Sequence, residues 1–179
     1  MILDTPYYNM TPSRFKIIVA GDAGVGKSTF IQRHLTSNFN VKYEPTLGVD
    51  VHPLHLNTTY GPVVLDLWDT AGQEKYGGLG EKYSKDAKGL LVMYDINSGT
   101  SYKHVAGWIK TTLKVSPEIP VVVCGNKSTK VDMVFPEYGA APKCNATYFD
   151  ISVKDSRNLN KPLEELARKL MGYSDLEIL

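Results

Sequence analysis

Apolar residues gather in short runs along this chain. Arg14–Ala20 reads Arg-Phe-Lys-Ile-Ile-Val-Ala, and Gly89–Tyr94, Ile119–Cys124 and Tyr148–Ser152 are comparably apolar. Runs this short predict buried strands. Val49–Leu56 alternates apolar with polar, Thr58–Gly61 carries a turn signal, and Pro62–Trp68 resumes as a strand, which predicts a hairpin. Between the runs lie segments with a helical period. Lys27–Thr36 follows the first run. Ser101–Val115 puts Tyr102, Val105, Trp108, Ile109 and Leu113 on one face. Lys161–Met171 turns Leu163, Leu166 and Leu170 inward, and Pro162 fits only in its first turn. Strands alternating with helices predict an α/β fold with a mostly parallel central sheet and helices on both faces. Such sheets hold ligands at the carboxyl ends of their strands.

The remaining segments are polar. Met1–Ser13 reads as a loose arm, Ser37–Gly48 as a loop, and Asp69–Gly80, with four glycines (72, 77, 78 and 80), as a mobile loop. The organisation expected is therefore an arm over 1–13, one domain over 14–172, and a short tail over 173–179. The chain shows neither internal repeats nor low-complexity runs.

Composition narrows the class. At 179 residues the chain can bury a sizeable core as one domain. Its net charge of +1 gives no global field to draw it to nucleic acid, so no direct nucleic-acid partner is expected. The only two cysteines, Cys124 and Cys144, imply free thiols packed as small hydrophobes. No apolar run of 18 residues occurs, and the first residues lack the basic flank and apolar core of a signal peptide. Ile2 excludes N-myristoylation, and Asp-Leu-Glu-Ile-Leu ends without a prenylated cysteine, so no lipid anchor is expected.

Chemistry enters at Gly21–Thr29, Gly-Asp-Ala-Gly-Val-Gly-Lys-Ser-Thr. It fits the phosphate-binding pattern Gly-x4-Gly-Lys-[Ser/Thr] through Gly21, Gly26, Lys27 and Ser28. Glycines let the backbone N–H groups of Asp22, Ala23, Gly24, Val25 and Gly26 curl around phosphate oxygens. Lys27 offers a cation to the β- and γ-phosphates, the Ser28 hydroxyl can ligate Mg²⁺, and Thr29 opens the helix whose positive end faces the site. A strand before and a helix after the loop are the context this motif needs.

A second motif, Trp-Asp-Thr-Ala-Gly-Gln-Glu over 68–74, follows the Pro62–Trp68 strand. Asp69, at a strand end beside a phosphate loop, is placed to act as an outer-sphere Mg²⁺ carboxylate. Gly72 can bring its N–H to a γ-phosphate, and Gln73 can orient the attacking water as the catalytic residue. With both motifs the chain resembles a Ras-superfamily small GTPase, a P-loop NTPase G domain. That resemblance implies that Thr46, in Tyr-Glu-Pro-Thr-Leu-Gly, ligates Mg²⁺ and touches the γ-phosphate. It implies further that Tyr43 covers the phosphates and Phe39 stacks on the base.

Thr-Leu-Gly-Val-Asp-Val-His-Pro-Leu (46–54) and Trp-Asp-Thr-Ala-Gly-Gln-Glu-Lys-Tyr-Gly-Gly-Leu (68–79) are similar to the Ran branch, as are Gln32–Thr36, Cys124–Lys127 and Ala167–Leu170. The likeness runs from about Arg14 to Leu179. His52 and His55 fall within it without metal-ligand partners and read as half-exposed strand residues. Trp108 reads as packing.

Four departures bear on function. The guanine motif Asn-Lys-x-Asp appears as Asn126-Lys127-Ser128-Thr129, with a hydroxyl where the family carries a carboxylate. That carboxylate accepts from guanine N1–H and the 2-amino group, and each charge-assisted bond is worth roughly 1.5–3 kcal/mol. Three residues on, Asp132 completes a variant of the motif and can reach back if the loop is remodelled. Ser152-Val153-Lys154 resembles the family's last base-contacting loop. Ala23 replaces a Ran-type glycine and can crowd Gln73 or an incoming arginine. Lys127–Lys143 lacks the basic segment of Ran, and the chain stops where Ran continues into an acidic tail.

The resemblance implies a Mg²⁺-dependent switch that binds GTP and GDP and hydrolyses GTP slowly. Its implied partners are an exchange factor, a GTPase-activating protein and importin-β-type transport receptors, and its implied location is nucleus and cytoplasm. Two alternatives stay open. One is a non-hydrolysing Ran-like nucleotide-binding module with altered base specificity; the other is a Rab-like trafficking GTPase.

Overall fold

A computed structural model of the chain describes residues 10–36, 48–72, 79–127 and 144–179. Six strands form one sheet: β1 (Ser13–Ala20), β2 (Val49–Thr58), β3 (Gly61–Thr70), β4 (Gly89–Asp95), β5 (Val121–Asn126) and β6 (Ala146–Asp150), in the order β2-β3-β1-β4-β5-β6. Only β2 runs antiparallel to its neighbour β3, the hairpin read from the turn at Thr58–Gly61. The other pairings are parallel. The helices are α1 (Lys27–Thr36), α2 (Leu79–Ser84), α3 (Gly99–Val115) and α4 (Lys161–Met171).

The sheet separates two cores because successive strand residues face opposite ways. Ile17, Val19, Leu91, Met93, Val122 and Cys124 meet Phe30 and Ile31 of α1 and Leu163 and Leu166 of α4. Their neighbours Ile18, Ala20, Leu90, Val92, Val121 and Val123 meet Val105, Trp108 and Ile109 of α3. Each such apolar side chain taken fully from water contributes about 1.5–3 kcal/mol, so both faces must be covered. Leu170 is only partly buried, packing at the edge of the first core. Burial in that core pushes the Cys124 thiol far above its usual range, so it behaves as a hydrophobe; Cys144 is half-buried.

The elements match the sequence reading apart from their edges. β3 continues through Asp69 and Thr70, residues read as loop, because the Thr70 hydroxyl donates to Val19 O at 2.8 Å and Val19 registers with Asp69. The six-residue α2 was hidden in the glycine-rich stretch, where the periodic signal is too short. β5 starts at Val121, since Pro120 has no N–H to donate, and its carbonyl instead accepts from Leu90 N. The last strand is Ala146–Asp150, which leaves Ser152 in the loop beyond it. Residues 173–179 lie along the β2–β3 turn: Thr58 bridges Ile178, Leu176 is fully buried, and Tyr173 stacks on Tyr60.

Parallel strands bring the carboxyl ends of β1, β3, β4, β5 and β6 to one edge of the sheet. β1 sits between β3 and β4, so the loop after Ala20 opens where chain connections leave in opposite directions.

Candidate functional site

The loop Gly21–Gly26 between β1 and α1 is held on several sides. Lys27, nearly buried, turns its ammonium back over the loop and donates to Gly21 O at 2.7 Å and Asp22 O at 2.9 Å. Asn126, at the end of β5, donates from Nδ2 to Val25 O at 2.9 Å. A Cβ on Gly26 would lie 2.4 Å from that same Nδ2, and Gly26 has a φ of 105°. Only glycine lets the asparagine approach this closely. Lys127, in the left-handed region at a φ of 66°, donates to Gly24 O at 3.0 Å and pairs with Asp95 at 2.8 Å. Val25 is buried, Thr29 half-buried, and Ala23 and Gly24 are exposed at the mouth of the loop.

Asp22 shows a link that the sequence did not announce. Its carboxylate is directed at α3, accepting from Trp108 Nε1 at 3.0 Å and contacting His104 Nδ1 at 2.5 Å. Trp108, read as packing, has a second contact. The indole does pack in the second core, but its N–H also finds the phosphate loop. The spacing of 104 and 108, adjacent turns of one helix, was the available signal. It pointed nowhere without the loop's position.

The structure brings Ser28 and Asp69 together. Ser28 Oγ donates to Asp69 Oδ2 at 2.5 Å, and the carboxylate is almost wholly buried at the end of β3. Its other oxygen, Oδ1, is buried with no donor among the described residues. Burial raises the Asp69 pKa, against the hydrogen bond from Ser28 and the charge of Lys27, which lower it. A buried hydroxyl–carboxylate pair with a spare acceptor fits a hard, oxygen-seeking cation and its water shell. Mg²⁺ is therefore chemically suited to these residues. Gly72 closes the site from the β3 side: a Cβ there would fall 2.0 Å from Ala23 N, so the two loops touch backbone to backbone.

The base-side loops also converge. Val153 N–H donates to Asn126 Oδ1 at 3.2 Å, which joins the 152–154 loop to the end of β5. Ser152 and Val153 are buried and Lys154 is exposed. Of the two β2 histidines read as half-exposed, His52 is so and His55 is exposed. Among the described residues no group of three or more His, Cys, Asp or Glu could hold a metal. Phe39, Tyr43, Thr46, Gln73, Thr129 and Asp132 lie outside the described residues.

No helix among the described residues is long and apolar enough to cross a membrane. In comparison with known proteins, the model of the Ras family matches residues 16–172. The match spans β1 through α4 and both phosphate motifs.

Proposed function

The chain belongs to the Ras family of GTP-binding small GTPases, with the P-loop α/β fold that family shares, and we propose that it works as a Ran-like Mg²⁺-dependent switch linked to nuclear transport. The observation that carries the phosphate-site reading is Asp69. It is a buried carboxylate bonded to Ser28 by one oxygen and, among the described residues, without a donor on the other, directly behind the phosphate loop.

In this reading the N–H groups from Ala23 to Ser28 bind the phosphates and Lys27 moves from its loop carbonyls onto their oxygens. Ser28 and Thr46 hold Mg²⁺ and Asp69 orients its water shell. When bound, the ion neutralises charge on the β- and γ-phosphates. Gly72 and Thr46 grip the γ-phosphate by their backbone N–H groups, and loss of that phosphate releases both. Gln73 aligns the attacking water. Phe39, Asn126, Lys127 and the 152–154 loop enclose the base, and Tyr43 covers the phosphates. Asp132 is the acidic residue that the motif variant offers to the base.

Intrinsic hydrolysis is slow because the chain's own residues supply no transition-state arginine; a partner's arginine is worth on the order of 10³–10⁵ in rate. The Ran-like switch sequences support importin-β-type receptors as partners of the GTP form, with exchange between nucleus and cytoplasm. The Lys127–Lys143 stretch, lacking a basic cluster, supports weak binding with little salt dependence.

The deciding experiment combines single-turnover GTP hydrolysis with receptor binding in the GTP-analogue and GDP states. Slow turnover and binding only in the triphosphate state are expected. Equal binding in both states would remove the switch reading, and absence of turnover would favour the non-hydrolysing module. Ala23→Gly should raise partner-stimulated turnover; an unchanged rate would clear Ala23 of crowding.

A further inference from the structure

The family's base-reading carboxylate is replaced by Thr129, yet guanine needs an acceptor pair for its N1–H and 2-amino group. Three described carboxylates lie at or beyond the ends of β4 and β6: Asp95 registers with Asn126, Asp150 with Gly125, and Asp155 follows five residues later. Asp95 is engaged by Lys127 Nζ at 2.8 Å and by Asn97 N at 2.9 Å. Asp150 is engaged by Arg157 at 2.8 Å. Asp155 differs from both: among the described residues no cation pairs with it.

Asp155 is nevertheless held in place. Its Oδ2 accepts from Ser152 Oγ at 2.8 Å, and its N–H donates to the same Oγ at 3.2 Å. Ser152 is buried and pairs through its backbone with Arg157, at 3.1 and 3.0 Å, so the turn is closed at both ends. Ser156 completes it in the left-handed region, at a φ of 56°. The residue after Ser152 is tied to the base-side asparagine by the Val153 N–H to Asn126 Oδ1 bond. The carboxylate is thus exposed, without a cation among the described residues, and anchored to the loop that meets Asn126. No described residue donates to its Oδ1, and each carboxylate oxygen can accept more than one hydrogen bond.

We propose that Asp155 supplies the carboxylate that reads the guanine N1–H and 2-amino group, taking the role that Thr129 cannot fill. This rests on the nucleotide-binding reading above. Ser152 acts as the positioning residue: its only hydroxyl proton goes to Asp155 and aims the carboxylate. Asp132 is the competing source of the same chemistry.

The test is calorimetric binding of GDP, IDP and XDP with Mg²⁺ to the full chain, to Asp155→Asn and to Asp132→Asn. An asparagine amide presents one acceptor and one donor, which suits the N1–H and 2-oxo group of xanthine. Asp155→Asn should weaken GDP by about 10- to 100-fold, the scale of one charge-assisted bond, and strengthen XDP enough to reverse the preference. The parent should bind IDP, which lacks the 2-amino group, more weakly than GDP; Asp155→Asn should lose that distinction. Mg²⁺-dependent XDP binding by the variant also reports that it is folded. A GDP-to-XDP ratio unchanged in Asp155→Asn, or a reversal in Asp132→Asn instead, overturns the assignment of Asp155 alone. A parent chain that binds none of the three overturns the nucleotide reading beneath it.

Discussion

The indole N–H of Trp108 donates to the carboxylate of Asp22 at 3.0 Å, tying the middle of α3 to the phosphate loop across the sheet edge. His104, one turn earlier, contacts the other oxygen of the same carboxylate. A hydrogen bond to a charged acceptor contributes roughly 1.5–3 kcal/mol, so this pair fixes the loop as well as filling the core.

Trp108→Phe keeps most of the packing and removes the donor. It should lower unfolding stability by about 1–3 kcal/mol and speed nucleotide release. Denaturant titration and stopped-flow displacement of a fluorescent GDP check this. An unchanged release rate in a destabilised protein would leave Trp108 with packing alone.

Asp69→Asn separates stability from function. Burial raises the Asp69 pKa, so the folded state holds this proton more tightly than the unfolded chain, whose value is near 3.8. Its contribution to stability therefore declines as pH rises from 3.8 through the folded-state value, and at neutral pH the buried charge is a cost. The neutral amide should raise the melting temperature of the nucleotide-free protein at pH 7. The same change should weaken Mg²⁺-dependent nucleotide binding by about 10–100-fold. Calorimetry with and without Mg²⁺ reads both effects.

His34 should make the fold acid-sensitive. It bonds Phe30 O through Nδ1 at 2.9 Å, and burial lowers its pKa from the ordinary 6.5. The unfolded chain thus takes up this proton first. Stability should be full above pH 6.5, fall as pH drops below it, and level off beneath the folded-state value. Urea midpoints at pH 7.5 and 5.5 should differ less in His34→Leu than in the parent.

Tyr173→Ala should loosen the last residues. Tyr173 stacks on Tyr60 with ring centroids 4.0 Å apart, and the Tyr60 hydroxyl donates to Asp175 at 2.7 Å. Loss of the stack should cost about 0.5–1.5 kcal/mol and speed proteolysis within 173–179. Mass spectrometry of a timed digest gives the cleavage site.

Much of this protein was legible in its sequence because the signals are local. Apolar runs of five to eight residues marked the strands, and a helical period marked α1, α3 and α4 within two residues of their observed ends. Ser28 and Asp69 could each be placed at the sheet's ligand edge because one motif sets Ser28 in the first helical turn after β1, the other sets Asp69 near the end of β3, and parallel strands share one edge. Only the tertiary structure decided the contacts between distant elements. That Asp22 turns to His104 and Trp108, that Asn126 joins Val25 to Val153, and that Asp155 meets Ser152 rather than a cation among the described residues depends on how helices and loops settle on the sheet. Side-chain direction follows from that packing, which no local period encodes. Tyr60 and Tyr173, more than a hundred positions apart, meet for the same reason: the hairpin turn and the end of α4 come to one corner of the domain, where burial of Leu176 holds them together.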